Sequence, residues 1–275
     1  MAESRPGVPV WQGGADIAAE FTFHAQHVDF EELTAVAGIQ PTKTRGPADK
    51  RRPELPDGWE YRRSLRGCDS TRGLLDELCD LFTPPAAALA QYCAANSVES
   101  LLTVYVHSPA KQMPELYFSE WVIALCGALN AGIDADIYAY LDDEPDEDDW
   151  EPVARTRMCV EFDPCREVGE LERITGMPLT WEQGKAVFEG AWSAALVTDE
   201  FFTQRLAPLE SRAAAVRDFC TDHGMTIHVR VETRSKDDWN PMAGGPGSRG
   251  VAIMASLGAS LSYDMRFGED ITSPL

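Results

Sequence analysis

The stretch Glu31-Glu32-Leu33-Thr34-Ala35-Val36-Ala37-Gly38-Ile39-Gln40-Pro41-Thr42 comes back later in the chain. It returns as Gly169-Glu170-Leu171-Glu172-Arg173-Ile174-Thr175-Gly176-Met177-Pro178-Leu179-Thr180. Glu, Leu, Gly and Thr recur in register. Val36 becomes Ile174, and Ile39 becomes Met177. Each copy reads as a short helix stopped by a glycine, where a left-handed residue ends the helix at least strain. An extended exit through a proline follows. The chain of 275 residues therefore reads as two copies of one domain of ordinary size.

Working outward, Ala19, Phe21 and Phe23 alternate with Glu20, Thr22 and His24, which is strand periodicity. Asp29 is placed to cap the helix that follows, with Glu32 three residues on. Pro41 to Gly58 reads as a long basic loop, and Trp59 to Leu65 as a strand. Thr71 to Asn96 is helical, with a break near Thr83 forced by Pro84-Pro85. A strand over 100–108, a short strand over 116–118, a Ser119-capped helix and a strand over 133–141 complete the plan. In the second half, Tyr92 to Val104 lies over Phe219 to Val231 without a gap. Gly132 to Leu141 lies over Gly258 to Phe267, which places Asp134 and Asp136 on Ser260 and Ser262. The Trp192 segment matches the Trp59 strand, and Pro208 marks the helix break. Residues 246–257 read as a shortened, weakly helical remnant, and Gly244 to Gly250 as a mobile hairpin loop.

The predicted fold is α+β: two tandem β-α-β-α-β-β-α-β domains, each a mostly antiparallel sheet with helices on one face. The boundaries are a flexible arm over 1–15, a first domain over 16–141, an acidic linker over 142–152 and a second domain over 153–275. A cleft or a joined sheet is expected between the copies.

The net charge is −21, and Asp142 to Glu151 holds eight acids and no base. Such a chain repels nucleic-acid backbones and anionic membranes and is steered toward a basic partner. Seven cysteines, an odd number without a CxxC pair, fit free thiols in a reducing compartment. No apolar run approaches the roughly 18 residues of a membrane span, and the first residues lack a signal-peptide core. The expectation is a soluble cytoplasmic protein. Oligomeric state leaves no trace in the sequence.

Leu33, Gly38, Ile39, Pro41 and Thr42, then Trp59, the strand Leu101 to Val106, and Gly132-Ile133-Asp134-Ala135-Asp136-Ile137-Tyr138 form a recognisable series. In this series the chain resembles a small bacterial family of domains of unknown function, over residues 17–141 closely and 155–267 loosely. The resemblance implies a small α+β domain and an association with toxin-immunity proteins. It supplies no catalytic residues.

The chain itself offers little chemistry. His24, His27 and Asp29 are close in sequence, but odd spacing on a strand divides the two histidines between faces. A zinc site needs three or four convergent ligands, so no metal or other cofactor is expected. Cys93 and Cys220 sit at equivalent apolar helix positions and read as core. No nucleophile elbow or P-loop is present, and no set of titratable residues recurs in both halves. The expected function is therefore non-enzymatic. It is a protein-binding module of immunity type that neutralises a basic, toxin-like partner through Asp134, Asp136, Asp146, Glu147, Asp148 and Asp149. The alternative is a small-molecule or peptide sensor, with Trp59 and Trp192 as walls of an inter-domain cleft.

Overall fold

The computed structural model describes residues 14–46, 56–108, 113–139, 154–193, 197–235 and 242–267. In the first half the order is β1 (Ala15–Ala25), α1 (Phe30–Ala37), β2 (Lys43–Arg45), β3 (Asp57–Cys68), α2 (Arg72–Phe82), α3 (Ala86–Asn96), β4 (Glu99–Ser108), β5 (Leu116–Phe118), α4 (Glu120–Ala128) and β6 (Gly132–Ala139). The second half follows the same order. It runs β7 (Ala154–Asp163), α5 (Val168–Thr175), β8 (Thr180–Glu182), β9 (Lys185–Glu189), α6 (Asp199–Glu210), α7 (Ala213–Asp222), β10 (Thr226–Ser235), β11 (Met242–Gly244), α8 (Ser248–Leu257) and β12 (Ala259–Phe267).

The local chemistry explains the elements. The Asp29 carboxylate accepts the Glu32 N–H at 2.9 Å and starts α1. Gly38 and Gly176, with φ of 64° and 69°, stop α1 and α5. Alternate residues of β1 turn inward, where Phe21 and Phe23 meet Trp59 and Phe82. Phe21 and Phe82 lie 4.7 Å apart, and Phe23 meets Trp59 edge-on at 5.6 Å. Burying each such side chain contributes about 1.5–3 kcal/mol. The chain breaks between α2 and α3 at Thr83–Pro85, as the two prolines require.

Two mixed, mostly antiparallel sheets result. Their orders are β11-β6-β4-β1-β3-β2 and β5-β12-β10-β7-β9-β8. The inner four strands correspond one to one, with β4–β6 and β10–β12 parallel. At one edge β2 and β8 also correspond, and at the other the outermost strands are exchanged. β5, from the first half, pairs with β12, while β11, from the second, pairs with β6. Helices α4 and α8 pack against each other, α4 also against β12 and α8 against β6. A Cβ at Gly127 would collide with that of Ala255, so the two helices cross at small residues. One continuous apolar cluster runs through both halves.

Several expectations need correction. The two sheets are separate, not joined, and α4 packs on α8 between them. A hollow is lined by residues of both halves, Met113 to Tyr117 and Glu120 with the open face of the second sheet, but neither Trp59 nor Trp192 lines it. Residues 248–257 form a full helix, and 242–244 a strand, in place of a remnant and a loop. Gly244 has φ of 136°, and a Cβ there would strike the Val197 backbone, so its glycine serves close packing. Pro208 lies inside α6, and the break comes at Ser211–Arg212. A proline removes one N–H, and buried Leu206 and Leu209 on either side hold the turn.

Two alignments also shift. Leu102 pairs with Ile133, whereas Val229 pairs with Leu261, so Asp134 corresponds to Ser262 and Asp136 to Asp264. The left-handed stop of α4 falls at Asn130 (φ 52°), the counterpart of Gly258 (φ 67°), two residues before Gly132. Phe23 pairs with Trp59 and Phe162 with Ala186, so Ala186 takes the place of Trp59. The first 13 residues and the acidic linker 142–152 lie outside the described residues.

Candidate functional site

Helices cover only one face of each sheet, so alternate side chains of the strands point to an open face. In the first sheet this face is concave, with a volume of about 520 Å³. Glu20 on β1 and Glu60 on β3 are both over 90% buried within it. Thr22 donates a hydrogen bond to Glu20 at 3.0 Å, and Arg62 lies 3.8 Å from the same carboxylate. Lys43 on β2 lies 3.4 Å from Glu60, and the Arg62 guanidinium lies over the Tyr105 ring. Asp134 and Asp136 enter from β6, and the Tyr138 hydroxyl donates to Asp136 at 2.9 Å.

These acids are incompletely neutralised. Burial raises the Glu20 pKa above the usual carboxylate range, Glu60 adds to the rise, and Thr22 and Arg62 oppose it. Burial likewise raises Asp134, helped by the charge of Asp136 and opposed by the N–H groups of Gly244 and Ala135. Gly244 belongs to the exchanged strand β11, so the second half helps to hold a carboxylate of the first half's face.

The open face of the second sheet bounds a hollow of about 710 Å³. Its charges join in a ladder. Lys185 contacts Glu161 at 3.2 Å and Asp163 at 3.3 Å, and Arg230 bridges Glu161 at 2.8 Å and Glu232 at 3.0 Å. Arg157 joins Glu232 at 2.6 Å to Glu189 at 3.1 Å. Next to the ladder, His228 has a serine hydroxyl on each ring nitrogen, Ser260 and Ser262, both at 2.8 Å. Tyr117 of β5 stacks on it. Burial lowers the His228 pKa, with Arg230 and Lys185 adding to the effect and Glu161 opposing it.

Of the residues expected at a site, Asp134 and Asp136 share the first concavity. Asp146, Glu147, Asp148 and Asp149 lie outside the described residues. Trp59 lines no cleft: it is fully buried, and its indole N–H donates to Thr34 at 3.0 Å. Trp192 is half-buried in the other half, with Arg157 and Arg234 against its ring at 4.8 and 5.0 Å. Asp29 is used as a helix cap. His24 pairs with Glu99 at 3.2 Å, and exposed His27 lies 4.0 Å from Asp57. Burial pushes the Cys93 thiol up to about 11 and Cys220 to about 12, values that keep them inert. Lys43 and Arg62 stand out in sequence as part of a basic cluster, Lys43 to Arg52 with Arg62, Arg63 and Arg66, suited to the acidic linker or an anion, whereas Glu20 and Glu60 are missed. Glu20 was legible as the polar phase of an alternating strand, but nothing in sequence marked that phase as concave.

No helix among the described residues is long and apolar enough to cross a membrane. Neither a curated protein nor a solved structure matches the chain. Residues 15–140, the half that carries the incompletely neutralised face, match the family model described as a domain of unknown function, DUF4279.

Proposed function

We propose that the protein is a non-enzymatic binding module that receives a positively charged group of a partner protein on the open face of its first sheet. One observation carries this reading. Glu20, Asp134 and Asp136 line a single concavity, and burial lifts the carboxyl pKa of Glu20 and Asp134. Carboxylates removed from water gain most from a cation placed among them. The net charge of −21 steers a basic partner to the molecule. The family resemblance favours a cytoplasmic immunity protein that neutralises a basic toxin. The shared order of elements in the two halves supports descent from one duplicated bacterial domain.

The test is capture of basic proteins from the host lysate and from the products of neighbouring genes, at low and high salt. The protein is compared with its Asp134→Asn/Asp136→Asn variant. Retention of a basic partner at low salt by the parent alone supports the reading. Equal retention by both proteins overturns the assignment of the face.

A further inference from the structure

The first open face has two ends of opposite character. Asp134, Thr103, Glu20 and Arg62 form one row straight across β6, β4, β1 and β3. Strands lie about 4.8 Å apart, so the row runs about 14 Å from its acid to its base. One strand further, β2 adds Lys43 and Arg45. Lys43 already faces Glu60 and Arg62 faces Glu20. Arg45 has no ion pair among the described residues, and its Nε is buried without a hydrogen-bond partner. Its guanidinium rests against Gly58, where an added Cβ would come within 3.1 Å of it. A buried donor left unmet at the edge of a concavity is suited to an acceptor that the chain does not supply.

The geometry points to a dipolar ligand: an extended peptide segment of the partner that crosses the strands, with a basic side chain over Asp134 and Asp136 and a carboxylate at Arg45. This rests on the reading above that the face receives a cation, and adds the anionic end. From β6 to β2 is four strand spacings, about 19 Å, and Arg45 lies four residues along the strands from the Asp134 row. The ends are therefore about 23 Å apart on a diagonal, within the reach of about six extended residues with their end side chains. A free amino acid is too short to touch both ends. A nucleic-acid strand would set phosphates against Asp134 and Asp136. The backbone groups of β1 and β4 are already paired within the sheet, so side chains hold the ligand and salt weakens it.

The probes are two fluorescein-labelled hexapeptides with arginine first and glycine and serine between. Both are amidated at the C-terminus, and one ends in glutamate and the other in glutamine, so that only the first carries a carboxylate. Fluorescence anisotropy on the full chain at low salt reads their affinities. The glutamate peptide is expected to bind about fivefold tighter. The Arg45→Gln variant should bring the two affinities together, and its unfolding temperature shows that it is folded. Equal affinities in the parent protein overturn the dipolar ligand while leaving the cation-binding reading intact. If neither peptide binds, both fall.

Discussion

The two open faces occupy equivalent places in equivalent sheets, yet they manage charge in opposite ways. On the second, Lys185, Arg230 and Arg157 interleave with Glu161, Glu232 and Glu189 at 2.6–3.2 Å. On the first, the pairs Lys43–Glu60 and Arg62–Glu20 are looser, at 3.4 and 3.8 Å, and Asp134 and Asp136 have no cation on β6. A ladder whose acids and bases pair this closely stabilises the fold and leaves less charge for a partner, although the Arg230 Nε within it is buried without a hydrogen-bond partner, as the Arg45 Nε is on the first face. Unevenly neutralised charges weaken the fold and leave something to bind. One scaffold thus carries a sealed face and a receptive one.

The sharpest way to break this contrast is to remove one rung of the ladder. Arg157→Ala takes from Glu232, whose side chain is only 11% exposed, the closer of its two cations and leaves it Arg230 at 3.0 Å, so it should cost about 2 kcal/mol in urea unfolding. The matching change Arg62→Ala should cost under about 1 kcal/mol, since its pair is longer and Arg62 is half exposed. Similar losses at both sites would erase the distinction. Next in size, Ser262→Ala leaves a ring nitrogen of His228 without its partner and should cost about 1 kcal/mol. Asp134→Asn, at the corresponding position of the first sheet, should instead raise stability at neutral pH by a few tenths of a kcal/mol. It relieves a carboxylate whose ionised form is disfavoured, and the gain comes with weaker binding.

Acidity separates the faces more finely. The lowered His228 pKa means that the unfolded chain binds the proton first as pH falls below about 6.5. The stability His228 contributes is therefore present above that value and lost as pH falls toward its folded pKa. For Glu20 and Asp134 the folded pKa is raised, so their contribution is fully present below about pH 4 and lost as pH rises through the folded values. In urea titrations from pH 7 to 5, His228→Gln should flatten the decline seen in the parent protein. An unchanged slope would show that the histidine is not the group responsible.

Much of this fold could be read locally. The caps at Asp29, Gly38 and Gly176, the inward phase of β1 and the break before α3 each follow from a few neighbouring residues. The exchange of β5 and β11 could not. Each is three residues long, too short for a period, and its partner strand is chosen by the packing of α4 on α8. The displaced register of Asp134 has a similar cause, since Asn130 does at that helix end what Gly258 does at the other. The concavity was hidden because it is a property of five strands together. Its acids arrive from β1, β3 and β6, and the N–H of Gly244 that meets Asp134 comes from 110 residues further along the chain.

The exchanged strands also bear on how the protein is made. At about 5–20 residues per second, a ribosome reaches Met242–Gly244 roughly 5–20 s after it finishes β6. Throughout that interval β11 does not yet exist, and the edge of β6 is open to any strand that passes. The first sheet must therefore be guarded during synthesis. The second sheet is spared, because its foreign strand, β5, has been waiting since before its own first strand was translated.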